Sequence, residues 1–432
     1  MTLPSIAHQV QAQNLTQNLF KSYKRCIKHK NHIKDTPFHL YHETWIARLA
    51  KEILAGKYQP RKSTVFVVTR PKPREIVAAH ILDRVVHHFI CHHMEPWWER
   101  RFDSRSFACR VGKGALAASM DLRHFIRGYQ AYNATPLWYL KVDVKAFFPS
   151  IDRLILEDLV MPKISNSLIR DLVRTTIRHN PVAPNQYRLA SSPKLLALVP
   201  PHKSLFKVVE GKGLPIGNLS SQFFANVYMN ELDQHLARRA PIKPLYWQRY
   251  VDDIVCLDQN PQRLKLIARD IEDFLGQHLK LSLHPQKTIL QPLARGLDHL
   301  GYFHLPNRTY PRKRVIKAAT HVVNLSALGP DDDLNDLLPR INSYLGHFGH
   351  ADSYRLRQQL CKTVSQYDIS NTCVVRGDYG SLKNTANATL RRQVLNTTIS
   401  DLFSTATFGL FADSSADSEE IWDSDDHHFT EI

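Results

Sequence analysis

Two spacings of apolar residues alternate along this chain. Leu15, Leu19, Phe20, Tyr23 and Ile27, then Trp45, Leu49 and Ile53, recur at helical spacing and predict helices within 14–57, the second stopped by Gly56. Thr64–Thr69 reads as a strand, and the basic turn Arg70-Pro71-Lys72-Pro73-Arg74 leads from it into Glu75-Ile76-Val77. Further helices are predicted at Ile81–Trp98, Leu154–Arg178, Phe223–Arg239 and Leu264–Leu279, and more follow the last strands to about Leu360. Leu137–Val144 reads as a buried strand, Leu281–Leu283 as a short one, and Tyr246–Leu257 and Leu297–Phe303 as hairpins. A Pro-rich connection fills 179–207, and 381–432 turns polar, then acidic. No internal repeat is present, and the fold class is α+β.

One break in the pattern is chemically pointed. Within the apolar, aromatic run Tyr246–Leu257, Asp252 and Asp253 fall at the hairpin turn. Adjacent fixed carboxylates repel each other unless a cation neutralises them, and Mg²⁺ is a suitable hard partner. The plain alternative is a solvated acidic turn. Asp143 closes the strand Leu137–Val144, where an unpaired carboxylate is costly. The loop Gly211–Gln222, opening the helix from Phe223, offers backbone N–H groups to a phosphate or a base pair. His87, His88, His92 and His93 share one helix without an acid or Cys at ligand spacing, so packing or RNA contact outweighs metal binding.

Composition narrows the partners. The formal net charge is +17, and the last twenty residues carry eight acids and no Lys or Arg. Setting those acids aside leaves about +25 on residues 1–412. Nucleic acid is the favoured partner class, an anionic membrane surface the weaker one. No apolar run is long enough to span a bilayer, and Met1–Gln13 is polar, so a cytoplasmic location is expected. Six scattered cysteines without a C-x-x-C pair read as reduced thiols and argue against structural zinc.

A strand-end Asp, a Gly-rich loop with its helix and an Asp-Asp hairpin, in that order, describe a polymerase palm. From about Leu49 to Leu360 the chain resembles reverse transcriptases of bacterial type. Asp143 with Phe147-Phe148-Pro149-Ser150-Ile151-Asp152 resembles the first catalytic block of that family, and Tyr250-Val251-Asp252-Asp253 its Y-x-D-D box. The resemblance implies a right-hand polymerase: N-terminal helices and fingers at 1–135, palm at 136–306, thumb at 307–380, and a tail at 381–432, mobile from 413. It implies two Mg²⁺ ions, replaceable by Mn²⁺, on Asp143, Val144, Asp252 and Asp253, with Lys287 protonating pyrophosphate.

Nucleotide contacts are implied for the fingertip residues Lys72 and Arg74, for Arg110, and for Phe148 beneath the sugar. Ile216, Gly217 and Gln222 would line the same site. Leu300-Gly301-Tyr302 resembles the primer grip. Arg308, Tyr310, Arg312, Lys313, Arg314 and Lys317 mix charge with stacking surface in the manner of a nucleic-acid contact. The motif Leu214–Gln222, with Asp83–His88 and Ser343–His347, is similar to reverse transcriptases of diversity-generating retroelements and phage defence. The 179–207 connection and acidic tail tilt the reading to defence. The expected substrates are dNTPs and a dedicated non-coding RNA, and the product is cDNA. An accessory protein or a homo-oligomer is left open, and no membrane partner is expected. The rivals are a catalytically decayed RNA-binding protein, and an enzyme that works without a template or primes from its own side chain.

Overall fold

A computed structural model describes residues 6–30, 36–325, 334–366, 373–376 and 380–384. The described residues divide into two compact units, one formed by those up to Gly114 with Trp138–Leu290, the other by Ala115–Leu137 with those from Gln291. The acidic tail lies outside the described residues.

The first unit opens with helices α1 (Ile6–Cys26) and α2 (His42–Leu54), whose apolar stripes bury Leu15, Leu19, Ile46 and Leu49. Strands β1 (Ser63–Val68) and β2 (Arg74–Ala78) pair antiparallel. The long connection then supplies β4 (Tyr187–Leu189), which pairs parallel to β1. What the sequence presents as a Pro-rich link is therefore part of the sheet. It is fastened at Glu75, whose buried carboxylate accepts bonds from the Ser204 hydroxyl (2.7 Å) and the Leu205 amide (3.0 Å). Burial raises that carboxyl above its usual range, and the two bonds only partly oppose it.

Helix α3 (Ile81–Glu99) matches expectation. The single helix expected over Leu154–Arg178 is instead two, α4 (Arg153–Val160) and α5 (Ser167–Arg178). Pro162 lies in the tight turn between them, and Asn166 caps the second by accepting from the Ile169 amide. Helix α6 runs Leu219–Gln234, starting four residues before the expected Phe223, and the former tail of that prediction is a π-turn, His235–Arg239. Helix α7 (Pro261–Leu279) begins at the Asn260 cap with Pro261 in its first turn and ends at Lys280, which takes a left-handed φ of 50°.

At the centre of this unit, β5 (Tyr246–Tyr250), β6 (Asp253–Asp258), β3 (Trp138–Asp143) and β7 (Ile289–Pro292) form a sheet in the order β5-β6-β3-β7. Every residue of β5 and β6 is buried, which explains their near-continuous apolar sequence. Leu281–Leu283 is no strand; only Leu283 forms an isolated bridge, to Val144.

The second unit contains the helix Ala115–Tyr132 and a three-stranded antiparallel sheet of Leu297–His299, Tyr302–His304 and Thr309–Pro311. Helices Lys313–Leu325, Leu334–Gly349 and Tyr354–Gln366 follow, around Ala319, Ile341, Leu345 and Phe348. Asp352 ties this unit together, accepting from the Thr309 amide (2.8 Å) and from Arg123 (3.0 Å). Among the described residues, no helix is long and apolar enough to cross a membrane.

Candidate active site

Strand register assembles the acids. In the β3–β6 pairing Asp143 stands opposite Asp253, and in the β5–β6 pairing Tyr250 stands opposite Asp253, leaving Val251 and Asp252 as the turn. All three carboxylates are buried, at 5 to 6% exposure. Such burial of like charges is tenable only with cations close by. Two are present. Lys287 Nζ lies 2.8 Å from Asp143 Oδ2, and Lys141 Nζ lies 3.1 Å from Asp253 Oδ2. Lys141, on β3, went unremarked in the sequence; its place two residues before Asp143, on the same face of the strand, was the available signal.

The chain after α7 delivers Lys287. The His284 amide donates to the Asp143 carbonyl (2.8 Å) and the Lys145 amide to the Ser282 carbonyl (2.9 Å), so this segment lies along the end of β3. Val144 is fully buried in the same bridge. Among the described residues, no group of three or more His, Cys, Asp or Glu side chains is set as a cage for a metal ion. The donors nonetheless suit a hard divalent cation, being three buried carboxylates, Asp143 and Asp253 on adjacent strands and Asp252 in the adjoining turn.

Phe148 is buried edge-on against Phe147, with ring centroids 5.3 Å apart, and its carbonyl accepts from the Leu214 amide (2.9 Å). The Gly-rich loop lies along β2. Ile216 offers its carbonyl to the Val77 amide (2.8 Å), and Asn218 its side-chain oxygen to the Ala79 amide (3.1 Å). Gly217 has φ +112°, and a Cβ there would come within 2.8 Å of Ile76, so the close approach requires glycine. Ile216 and Gln222 are half-buried, Gln222 in the first turn of α6. Lys72 is exposed and Arg74 half-buried at the β1–β2 tip.

Asp152, at the end of the first acidic block, caps α4 and pairs with Lys280 (3.1 Å). Burial opposes its ionisation, but bonds from Lys280 and from the Ile155 and Leu154 amides outweigh burial and hold its carboxyl below the usual range. It serves the scaffold.

The Arg110 side chain is buried, pairs with Glu99 (2.9 Å), and donates to the Asp103 and Ser106 carbonyls (2.6 and 2.7 Å). These bonds brace the loop that carries Arg110 against the end of α3.

The remaining expected residues belong to the second unit. Leu300 (φ 46°) and Gly301 (φ 80°) form the tight turn before Tyr302, whose ring stacks on His347 at 4.4 Å and whose hydroxyl donates to the His347 carbonyl (3.0 Å). Arg308 is exposed beside Tyr310, while Arg312 pairs with Asp298 and is largely covered. Lys313, Arg314 and Lys317 are exposed on a helix whose other face buries Val315 and Ala319.

A central antiparallel sheet with acids at its hairpin, flanked by helices, has the architecture of a right-hand polymerase. Residues 61–303, more than half of the chain, match the family model for reverse transcriptase (RNA-dependent DNA polymerase), and the chain belongs to that family. No curated protein sequence matches it. Similar solved structures include apo telomerase from Candida tropicalis, at 9% identity and TM-score 0.44, covering 72% of this chain and 60% of that one. Another is telomerase from Candida albicans in complex with a TWJ fragment of telomeric RNA, at 12% identity and TM-score 0.40, covering 75% and 59%. The chain thus spans about three fifths of each telomerase chain.

Proposed function

We propose that this protein copies RNA into DNA by nucleotidyl transfer at Asp143, Asp252 and Asp253. The observation that carries the reading is the register placing Asp143 opposite Asp253, with Asp252 in the adjoining turn. These acids and the Val144 carbonyl would hold Mg²⁺, or Mn²⁺ in its place. When bound, the metal ions lower the pKa of a primer 3′-hydroxyl and neutralise charge on the triphosphate. The chain's own groups supply the rest. Lys287 Nζ, stationed on Asp143, is the proton donor to departing pyrophosphate. Lys72 and Arg74 hold the triphosphate, Phe148 limits space at the sugar, and Ile216, Gly217 and Gln222 seat the base pair. Fingers, palm and thumb correspond to 1–135, 136–306 and 307–380, with Leu300–Tyr302 guiding the primer and the basic stretch 308–317 holding the duplex.

The finer reading is a dedicated non-coding RNA as template and a role in phage defence, supported by the basic body, the Leu214–Gln222 motif and the built-in connection 179–207. Primer extension on a defined RNA, with each dNTP supplied singly and then together, tests the activity. Template-matched incorporation is the expected result. No incorporation by folded protein would favour an RNA-binding protein, and incorporation indifferent to template an untemplated enzyme. Phage plating on cells carrying the gene and its flanking RNA tests the role.

Sugar choice gives a sharper prediction. Phe148→Ala should raise the ribonucleotide-to-deoxyribonucleotide ratio of kcat/KM by about tenfold or more, since the ring no longer meets a 2′-hydroxyl. It should also cost about 3 kcal/mol of stability, because the ring is buried. A destabilised enzyme with unchanged discrimination would make Phe148 core only.

A further inference from the structure

Arg249 lies three residues before Asp252, in a strand buried throughout, and is 1% exposed. A guanidinium has five N–H donors. Here five bonds account for them. Nε and Nη2 meet the two oxygens of Asp233 (2.7 and 2.5 Å), and Nη2 also meets the Ser106 hydroxyl (2.8 Å). Nη1 donates to the Val251 carbonyl (2.7 Å) and to the Asn226 side-chain oxygen (3.3 Å).

The bond to Val251 is the informative one. Val251 has φ +54°, a left-handed conformation that a β-branched residue rarely adopts, in a turn that would ordinarily recruit Asn or Gly. Something outside the turn has to hold that backbone, and the Arg249 fork reaches its carbonyl. The fork is itself braced. Along the backbone, the Arg249 amide donates to the Arg105 carbonyl (2.9 Å) and the Phe107 amide to the Arg249 carbonyl (3.0 Å). Asn226 donates to the Ala108 carbonyl (2.7 Å), and Arg110 grips the Ser106 carbonyl from the other side. A buried ion pair made only for stability has small net value after desolvation and would need only Asp233. This one directs its other three donors to the acidic turn, to α6 and to the loop before the second unit's first helix.

We infer that Arg249 is the positioning residue of the acidic turn, fixing the left-handed Val251 backbone from behind and so setting where the Asp252 and Asp253 carboxylates stand. The inference rests on the reading of those acids as the metal site. Without the fork, Val251 relaxes toward negative φ and swings both carboxylates. A displacement of about 1 Å in a positioned site costs on the order of a hundredfold in rate.

The test compares the full-length protein with Arg249→Lys, which keeps a charge facing Asp233 but cannot also reach Val251, and with the double variant Arg249→Met, Asp233→Leu. The double variant replaces both buried charges by apolar side chains and should melt within a few degrees of the parent. Mn²⁺ binding to the nucleic-acid-free protein is read by electron paramagnetic resonance, RNA affinity by filter binding, and primer extension at saturating dNTP. The expected result for both variants is Mn²⁺ binding weakened about tenfold or more and kcat lowered about a hundredfold, with RNA affinity within about twofold. Parental Mn²⁺ affinity and rate in a folded variant would overturn the inference. So would Mn²⁺ binding, RNA affinity and melting temperature falling together, which is the mark of a purely structural residue. An inactive parent protein would sink the polymerase reading instead, leaving the Mn²⁺ comparison to decide this one; a parent that binds no Mn²⁺ saturably would end it too.

Discussion

Asp253→Asn is expected to stop DNA synthesis, by at least about a thousandfold, while RNA binding and folding persist. The change is isosteric and removes one negative charge from the proposed metal site, so transition-state stabilisation should fall by several kcal/mol. Asp143→Asn should do the same, with an added loss of the Lys287 contact at 2.8 Å. The Asn variants keep the strand pairing, because the register involves main-chain groups. Primer extension with parallel filter binding on one RNA measures both quantities. Near-parental synthesis by either variant would end the assignment of these acids.

Those three acids were legible because each breaks a pattern, a charge at the end of or inside an apolar strand. Their pairing partners were less so. Lys141 reads as one more polar residue of a strand, and only the β3–β6 register puts its ammonium against Asp253. Arg249 was open to a sharper reading, since a lone Arg amid Tyr246–Leu257 must find a buried partner. The partner, Asp233, is on helix α6, and sequence alone does not say which acid it is. Arg110 shows the same limit: its place beside glycines does not announce that Glu99 and nearby carbonyls engage its side chain.

Local structure followed local chemistry. The helices with clear apolar stripes, such as Ile81–Glu99 and Pro261–Leu279, appear where periodicity puts them. The break at Pro162 was readable and was overridden by the apolar rhythm on either side. The strand Tyr187–Leu189 was not readable, because its parallel partner β1 lies more than a hundred residues earlier and nothing in three residues encodes that pairing.

Acid should unfold this protein between about pH 6.5 and 4, and the buried histidines are the reason. Burial pushes His87 and His304 down to about 3, and His179 and His347 down to about 4. Neighbouring positive groups add to this at all four; at His347 a hydrogen bond with the Gly301 backbone opposes burial and outweighs the contribution of His350. In the unfolded chain each titrates near 6.5. As pH falls below that value the unfolded state takes up protons that the folded state refuses, so stability present above about 6.5 is lost progressively toward the folded values. For the two most buried rings the loss is about 1.4 kcal/mol per pH unit each, and the partly exposed pair adds less. Over two pH units this approaches the whole stability of an ordinary domain, about 5–15 kcal/mol. His87 is in the first compact unit and His304, bonded to Ser119 and Thr309, in the second, so each unit carries its own sensitivity. Urea midpoints at pH 7.5, 6.0 and 5.0 should fall steadily, and His304→Gln, which cannot take the proton, should flatten the decline. Equal midpoints at pH 7.5 and 5.0 would mean that these rings are protonated in place or reach water.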